Sequence, residues 1–544
     1  MNAAKLFVEC LEQEHVKYIF GLPGEENLEL LNALIDSSIQ FVPVRHEQAA
    51  AFMADVYGRL TGTPGVCLST LGPGATNLVT GVADAFLDRA PLVAITAQTA
   101  LEKLHKESHQ AIDVVGMFRT ITKWNARVGR PSVIPEIVRK AFKIAQTEKR
   151  GPCHIELPED IAEADVDSAP LAVERARRPS PDRPSLQQAA ELIEAAARPI
   201  ILAGNGVVRG GASEELRRFA KATGIPVANT FMAKGVMASD DEHSLFTIGL
   251  QAHDYVNCGF DEADLVVAVG YDFVEYAPAF WNPQRDKQIV HIDVTPSEVD
   301  DAYTPSVEIV ADIRETLELL RPLIRTPKRL THPKKLRQYI LDDLARCANE
   351  DDMPMKPQRI LHDLRSVLGP KDLVISDVGA HKLWIARMFL PDEPNTVLIS
   401  NGFASMGIAL PGAIVAKLLE PTRHVVAVCG DGGFLMNCHE LETAVRLHLN
   451  PVIIIFNDGG YGLIQLKQMA KFGRTIGVTF GNPDFVAFAE SFGAKGYRVE
   501  SAGAFKPILQ DALRQTVPSL IDVPIDYREH ARLTERLGHL VCPL

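Results

Sequence analysis

The reading turns on two stretches, Val425 to Cys429 running into Gly430-Asp431-Gly432-Gly433, and Val452 to Phe456 running into Asn457-Asp458-Gly459-Gly460-Tyr461. Each opens with a short apolar run without alternation and closes on glycines. That is the pattern of a strand buried on both faces of a parallel sheet. Between them, Leu435 to Leu449 places Leu441, Ala444, Val445, Leu447 and Leu449 at helical spacing, which predicts strand–turn–helix–strand. A right-handed crossover points both strands the same way and brings both turns to one sheet edge. Asp431 and Asp458 then stand side by side. Two carboxylates beside exposed backbone N–H groups suit Mg²⁺ with a phosphate group. The plainer reading is a pair of turn carboxylates capping helices.

The whole chain sets outer bounds. Its 544 residues exceed what one core holds, so two to four domains are expected. The net charge of −13, with both signs interspersed, argues against nucleic acid as the main partner and offers no basic face to a membrane. No apolar stretch reaches spanning length and no secretory signal precedes the first helix, so a cytoplasmic location is expected. The 8 cysteines are scattered without a CxxC pair, which predicts buried free thiols and neither a disulfide framework nor a zinc site.

Three α/β segments with parallel sheets are expected. The first, 1–169, runs helix Ala3 to Gln13, strand Tyr18-Ile19-Phe20, helix Asn27 to Asp36, strand Ile39 to Val44, helix His46 to Thr61, strand Gly65 to Thr70 and strand Leu92 to Thr96. A Pro- and Arg-rich linker, Pro170 to Pro184, leads to the second, 185–324, with strands Ile200 to Ala203, Leu265 to Val269 and Ile289 to Ile292. Its turn Gly204-Asn205-Gly206 resembles a nucleotide loop, although a lone GxG more often marks a plain strand–helix turn. A charged linker from Arg325 precedes the third, 355–530, with strands Leu373 to Ser376, Thr396 to Ser400, Val425 to Cys429, Val452 to Phe456 and Ser519 to Pro524. A charged tail, 531–544, reads as a lid or a frayed terminus. The first and third segments share an α/β rhythm.

The Gly-Asp-Gly opening, with its Asn-Asp close at this distance, resembles the signature of thiamine diphosphate (ThDP) enzymes. That resemblance implies three α/β domains, pyrimidine-binding, middle and diphosphate-binding. It implies Mg²⁺ on Asp431, Asp458 and the Gly460 carbonyl, with Gly432 and Gly433 facing the diphosphate. Glu47, in Arg45-His46-Glu47-Gln48-Ala49, resembles the catalytic glutamate that hydrogen-bonds the aminopyrimidine and promotes the imino tautomer, whose nitrogen removes the thiazolium C2 proton. Apolar neighbours, Ala49 to Met53, strengthen that bond. Without the resemblance, Glu47 is a first-turn acid complementing a helix dipole. Met406 matches the bulky residue that props the cofactor in its bent form, with the Ala404 carbonyl accepting from its amino group. Gly379 and His381, in Asp377-Val378-Gly379-Ala380-His381, resemble a second diphosphate turn. Gly24 and Asn77 match cofactor-binding positions, as do Tyr461, Leu463 and Ile464, and Gln110 matches a position beside the substrate to which the resemblance gives a catalytic role. Phe118 and Lys123 match substrate-side positions.

Within this group the chain resembles the acetolactate synthases of the catabolic, FAD-independent type. The phrases are Val44-Arg45-His46-Glu47, Ser400-Asn401-Gly402, Glu440 to His448, Ala489 to Gly496, and Gly270 to Tyr276 in the middle segment. The resemblance implies pyruvate as substrate, 2-acetolactate and CO₂ as products, no FAD, and a homodimer at least, with a homotetramer expected. One departure stands out: Lys467 occupies the place of a glutamine bordering the acceptor pocket, and is assigned a catalytic role on that ground. A lysine there attracts a carboxylate or lays its stem on apolar surface. The alternatives are a 2-keto acid decarboxylase releasing aldehyde, a non-catalytic ThDP-binding homologue, and, more distantly, a dinucleotide oxidoreductase built on Gly204-Asn205-Gly206.

Overall fold

The computed structural model describes every residue except 175–176, 251–252, 347–349, 531–541 and 543–544. The chain divides into two compact units. One comprises Met1–Arg177, Gly402–Pro421 and Met436–Leu449; the other comprises Arg178–Asn401, Thr422–Leu435 and Asn450–Leu544. The expected tail, apart from Cys542, lies outside the described residues.

The first unit holds a parallel sheet of β1 (Tyr18–Gly21), β2 (Gln40–Pro43), β3 (Gly65–Ser69), β4 (Leu92–Gln98), β5 (Trp124–Arg127) and β6 (Pro152–Pro158). Their order is β2-β1-β3-β4-β6-β5. Ile19, Val66, Leu68, Val93, Ile95 and Ile155 join one buried cluster with the helices Ala3–Gln13 and Ile134–Gln146. The helices Glu47–Thr61 and Pro73–Leu87 pair closely because small residues meet where they cross. A Cβ on Gly81 would lie 2.5 Å from Ala51 Cβ, and one on Gly65 would lie 2.0 Å from the Ala54 carbonyl oxygen. At these points the backbones come close enough that no larger side chain fits.

The second unit holds two more six-stranded sheets. The first contains β7 (Pro199–Ala203), β8 (Val227–Asn229), β9 (Ser244–Thr247), β10 (Leu265–Val269), β11 (Gln288–Asp293) and β12 (Val307–Val310), in the order β12-β11-β10-β7-β8-β9. Read from its far edge this is the doubly wound nucleotide-binding order. The second contains β13 (Leu373–Ser376), β14 (Val397–Ile399), β15 (Val425–Gly430), β16 (Val452–Asn457), β17 (Lys495–Arg498) and β18 (Ser519–Pro524), in the order β14-β13-β15-β16-β18-β17. That order repeats the first unit's sheet strand for strand. Val426, Val428, Val452, Ile454, Phe456, Ile521 and Val523 pack on Ile360, Leu361, Leu364, Phe505 and Leu509 of its helices. Each such side chain stabilises the fold by roughly 1.5–3 kcal/mol.

Three sheets of parallel strands bear out the expected fold class. Three readings are corrected. The glycine-rich turn after β15 is itself helical, Asp431–Asn437, and the helix expected over Leu435 to Leu449 is broken into this piece, a 3-10 turn Cys438–Glu440, and Leu441–Arg446. The break falls where Asn437 donates to the Gly407 carbonyl at 2.8 Å and Glu440 leaves the helix pattern to accept backbone N–H groups. Apolar spacing does not record such polar demands. The cysteines are not all free thiols: Cys258 and Cys542 are joined, at a sequence separation of 284 that no spacing rule reaches. Cys10, Cys67, Cys153 and Cys429 are buried and free, as expected, and Cys347 lies outside the described residues. Finally, β5 and β6 escaped the pattern because buried polar groups interrupt it. Glu156 accepts from Gln98 at 3.0 Å and pairs with Arg127.

Asp55 lies fully buried on the helix Glu47–Thr61, among Arg59, Asp84 and Asp88. Burial pushes its carboxyl up to about 7, with Arg59 opposing and Asp88 adding to the rise. The folded state then keeps a proton that the unfolded chain releases near the ordinary carboxylate value. This group's contribution to stability is therefore full below that value and is lost as pH rises toward about 7. Asp55→Asn carries no such proton. Urea midpoints at about pH 5 and pH 8 should differ less in Asp55→Asn than in the native protein, with the native protein losing more on going to the higher pH. Equal differences would remove Asp55 from the account.

Candidate active site

The register of β15 and β16 builds the first cluster. Gly430 stands opposite Phe456, so Asp431 and Asp458 leave neighbouring strand ends at the same edge. Asp431 is 1% exposed. Its Oδ1 accepts from the Gly432 amide at 2.7 Å, and its Oδ2 accepts from the Gly459 amide at 2.8 Å and from Asn482 at 2.7 Å. Asn482 also reaches Asn457 Oδ1 at 2.9 Å, which ties the two turns together. Burial raises the Asp431 carboxyl above its ordinary value against these hydrogen bonds. Asp458 keeps a solvent-exposed face, and the partial loss of solvent around its carboxyl, with the Asp431 charge, pushes it up to about 7. Asp431, raised by burial, and Asp458, raised by desolvation and by the Asp431 charge, form a site short of positive charge, which is what a hard divalent cation supplies.

The glycines around them serve close packing. A Cβ on Gly433 would lie 3.0 Å from the Asp377 carboxyl carbon, and one on Gly432 would lie 2.8 Å from the Tyr461 ring. A Cβ on Gly460 would lie 2.4 Å from the Val478 carbonyl oxygen. Gly379, at φ 155°, opens the helix Ala380–Met388 and sits against the His381 ring. His381 is 1% exposed, and burial brings its imidazole down to about 4, so the ring is neutral. Its Nε2 is buried with no hydrogen-bond partner among the described residues. An orphaned imidazole nitrogen costs free energy unless a ligand atom meets it.

From Tyr461 the chain enters the helix Gly462–Phe472. Leu463 turns toward the core of the third sheet, whereas Ile464 is 48% exposed and Lys467 is exposed. Lys467 acts electrostatically on buried His530, which is brought down to about 4 first by burial and then by this lysine. Tyr527 is half-buried, and desolvation with the Asp458 and Asp431 charges raises its hydroxyl.

The other unit carries a second cluster. Glu47 is the first residue of its helix and is 8% exposed. Its Oε2 accepts from Asn77 at 2.9 Å. Its Oε1 lies 3.3 Å from where a Gly74 Cβ would stand, so the glycine leaves that side of the carboxylate open. Gly24 packs on Thr70, which donates to Glu26 at 2.5 Å. Gln110 holds φ 57° with its carbonyl over Gly72, and its side chain is exposed. Ala404 adopts φ 57°, an unusual conformation for a residue with a Cβ, and Met406 beside it is half-buried. This loop is held by two acids one helical turn apart: Asp88 accepts from the Gly402 amide at 2.5 Å and Asp84 from the Ser405 amide at 3.3 Å. Phe118 and Lys123 have internal roles. Phe118 stacks on His154 at 4.2 Å, and Lys123 donates to the Ile144 carbonyl at 2.7 Å, closing a helix end.

So the eleven or so residues around Asp431 fall in one unit, and Glu47, Gln110, Gly24, Asn77, Ala404 and Met406 in the other. Sequence reasoning missed several supporting residues: Asn482, Asp84, Asp88 and above all Glu440. Glu440 is fully buried and accepts from the Arg45 amide at 2.9 Å, the His46 amide at 3.1 Å and Thr443 at 2.6 Å. It thereby fixes the backbone immediately before Glu47. The residue order gave no signal for it, since His439, Glu442 and Arg446 stand in the same stretch.

Three thiamine pyrophosphate enzyme families match the chain. The N-terminal TPP binding domain covers residues 1–117, the central domain 186–320 and the C-terminal TPP binding domain 377–523. The chain is 36% identical to the acetolactate synthase of Bacillus subtilis (strain 168), over 98% of this chain and 94% of that one. It is 38% identical to the probable acetolactate synthase large subunit of Methanocaldococcus jannaschii, over 100% and 96%. It is 37% identical to the catabolic acetolactate synthase of Raoultella terrigena, over 98% and 97%.

Glu440→Ala leaves the Arg45 and His46 amides without their acceptor. It should cost about 1–3 kcal/mol of stability and lower kcat with little change in KM for substrate, while Glu440→Gln, which keeps an acceptor oxygen, should recover most of both. Denaturant titration and steady-state kinetics on the two variants check this.

Proposed function

Because this chain belongs to the ThDP-dependent acetolactate synthase family, we propose that it decarboxylates one pyruvate and joins the remaining two carbons to a second, giving 2-acetolactate. Two pyruvates and one proton balance one 2-acetolactate and one CO₂. The observation that carries the reading is the carboxylate pair Asp431 and Asp458, brought to one sheet edge by register and left short of positive charge.

The residues fit the cofactor. Asp431, Asp458 and the Gly460 carbonyl would hold Mg²⁺, and the charge of the ion would restore both carboxyls to their ionised forms. Gly379, Gly432 and Gly433 lie on the same side, and the orphaned Nε2 of His381 would meet a phosphate oxygen only through a donated proton. When bound, ThDP supplies the electron sink for loss of CO₂. Glu47 holds the proton-transfer position. Asn77 fixes one of its oxygens, so the other is oriented and available. Ala404 presents its carbonyl from a strained backbone held by Asp84 and Asp88, and Met406 offers the apolar prop. Tyr461, Leu463 and Ile464 would wall the thiazolium side, and Gly24 and Gln110 the pyrimidine and substrate side. Lys467 is assigned to the acceptor carboxylate, a cation where a neutral amide stands in the resembled synthases.

FAD is left out of the reading because Gly270 to Tyr276 resembles the FAD-independent type. The proposal includes a cytoplasmic location, a homodimer as the minimum active assembly and a homotetramer as its full form. Among the described residues no helix is long and apolar enough to cross a membrane.

With pyruvate, ThDP and Mg²⁺, the product should yield acetoin after acid treatment; acetaldehyde in its place would assign a decarboxylase. Glu47→Gln should reduce turnover by at least about a hundredfold while ThDP still binds, followed by fluorescence quenching. Asp458→Asn should instead weaken Mg²⁺-dependent ThDP binding itself. Full turnover in Glu47→Gln would overturn the assignment.

A further inference from the structure

Four side chains of three chemistries converge in the second unit, away from the candidate active site. Cys258 and Asp261 lie three apart on the helix Tyr255–Asp261, hence on one face. His253 precedes the helix, and its Nε2 is 2.7 Å from Asp261 Oδ2. Cys542, the one described residue of the tail, brings its Sγ to 3.6 Å from the same oxygen and is disulfide-bonded to Cys258. One ligand atom from each of the four lies within 4.8 Å of every other. Cys258 is buried, His253 and Cys542 are half-buried and Asp261 is exposed, so an ion reaches the cluster from solvent.

A disulfide accounts for the two sulfurs alone. It does not account for an imidazole nitrogen and a carboxylate oxygen meeting at the same point. Two thiolates, one imidazole and one carboxylate are the donor set of a tetrahedral zinc centre, whose bonds of about 2.0–2.3 Å fit ligand atoms at this spread after small side-chain rotations. We propose that, with its sulfurs reduced, the chain binds one Zn²⁺ through His253, Cys258, Asp261 and Cys542, anchoring the C-terminus to the middle segment by metal rather than by a covalent bond. The chemistry balances with a dithiol as reductant. The Cys258–Cys542 bond breaks, the dithiol gives up two electrons and two protons and closes to its own disulfide, and Zn²⁺ then displaces the two thiol protons. The metal and the disulfide exclude each other.

The test uses the full chain, reduced with a dithiol, freed of reductant without air, loaded with Zn²⁺ or Co²⁺ in excess Mg²⁺ and desalted. The native protein should retain about one equivalent of zinc. The cobalt form should show a near-ultraviolet sulfur-to-metal band and the intense visible bands of a tetrahedral ion. Cys542→Ser and His253→Ala should each cut retained zinc by about tenfold or more, and oxidation to the disulfide should release it. Three results would overturn the proposal: no zinc kept by the reduced native protein, zinc kept equally by both variants, or zinc lost with Cys542→Ser but unchanged in His253→Ala. The variants are first checked for native circular dichroism. If His253→Ala fails that check, Asp261→Asn replaces it with the same expected loss.

Discussion

A buried carboxyl with a second carboxyl beside it is costly for a fold, and this chain holds buried Asp431 next to exposed Asp458 at adjacent strand ends. The parallel register of β15 and β16 forces the meeting. Asn482 and the Gly432 and Gly459 amides relieve part of the cost at Asp431, but Asp458 stays well above the ordinary carboxylate range. The pair is therefore left short of positive charge.

Around Glu47 a different economy operates. The helix that begins there is packed so closely through Ala51, Ala54, Gly65 and Gly81 that its axis has no freedom to shift. Glu440 fixes the two peptide groups before it, and Asn77 fixes one oxygen of the carboxylate. Backbone position, helix direction and side-chain rotamer are each set by a separate contact. Redundancy of this kind keeps the Glu47 carboxylate in one place, as the proton-transfer role proposed for it requires.

Much of this was legible in the residue order. Strand runs such as Leu265–Val269 and Leu373–Ser376 are apolar, bounded by turn residues, and short, so pattern alone located them. Asp431 and Asp458 were found because glycines punctuate their strands. What stayed hidden depends on partners distant in sequence. β6 carries buried His154, which meets Thr96 of β4 through Nε2, and buried Glu156, which is held by Gln98 of β4 and Arg127 of β5, so its polarity reads as a loop in isolation. Glu440 acquires its meaning from Arg45 and His46, and Cys258 from Cys542. A linear pattern reports the face a segment buries. It does not report which lone polar group has been assigned to a particular distant backbone amide.

The identical strand order of the first and third sheets has a consequence for assembly of the chain during synthesis. Two sheets with one topology offer each other's strands equivalent slots, and exchange between look-alike elements is a characteristic way for such chains to misfold. The arrangement in sequence works against it. Everything from Pro158 to Leu373, including a sheet of another order, lies between them. At roughly 5–20 residues per second, that interval gives the first sheet on the order of ten seconds or more to close before the first strand of its counterpart leaves the ribosome. The middle segment is then a kinetic spacer as well as a structural one.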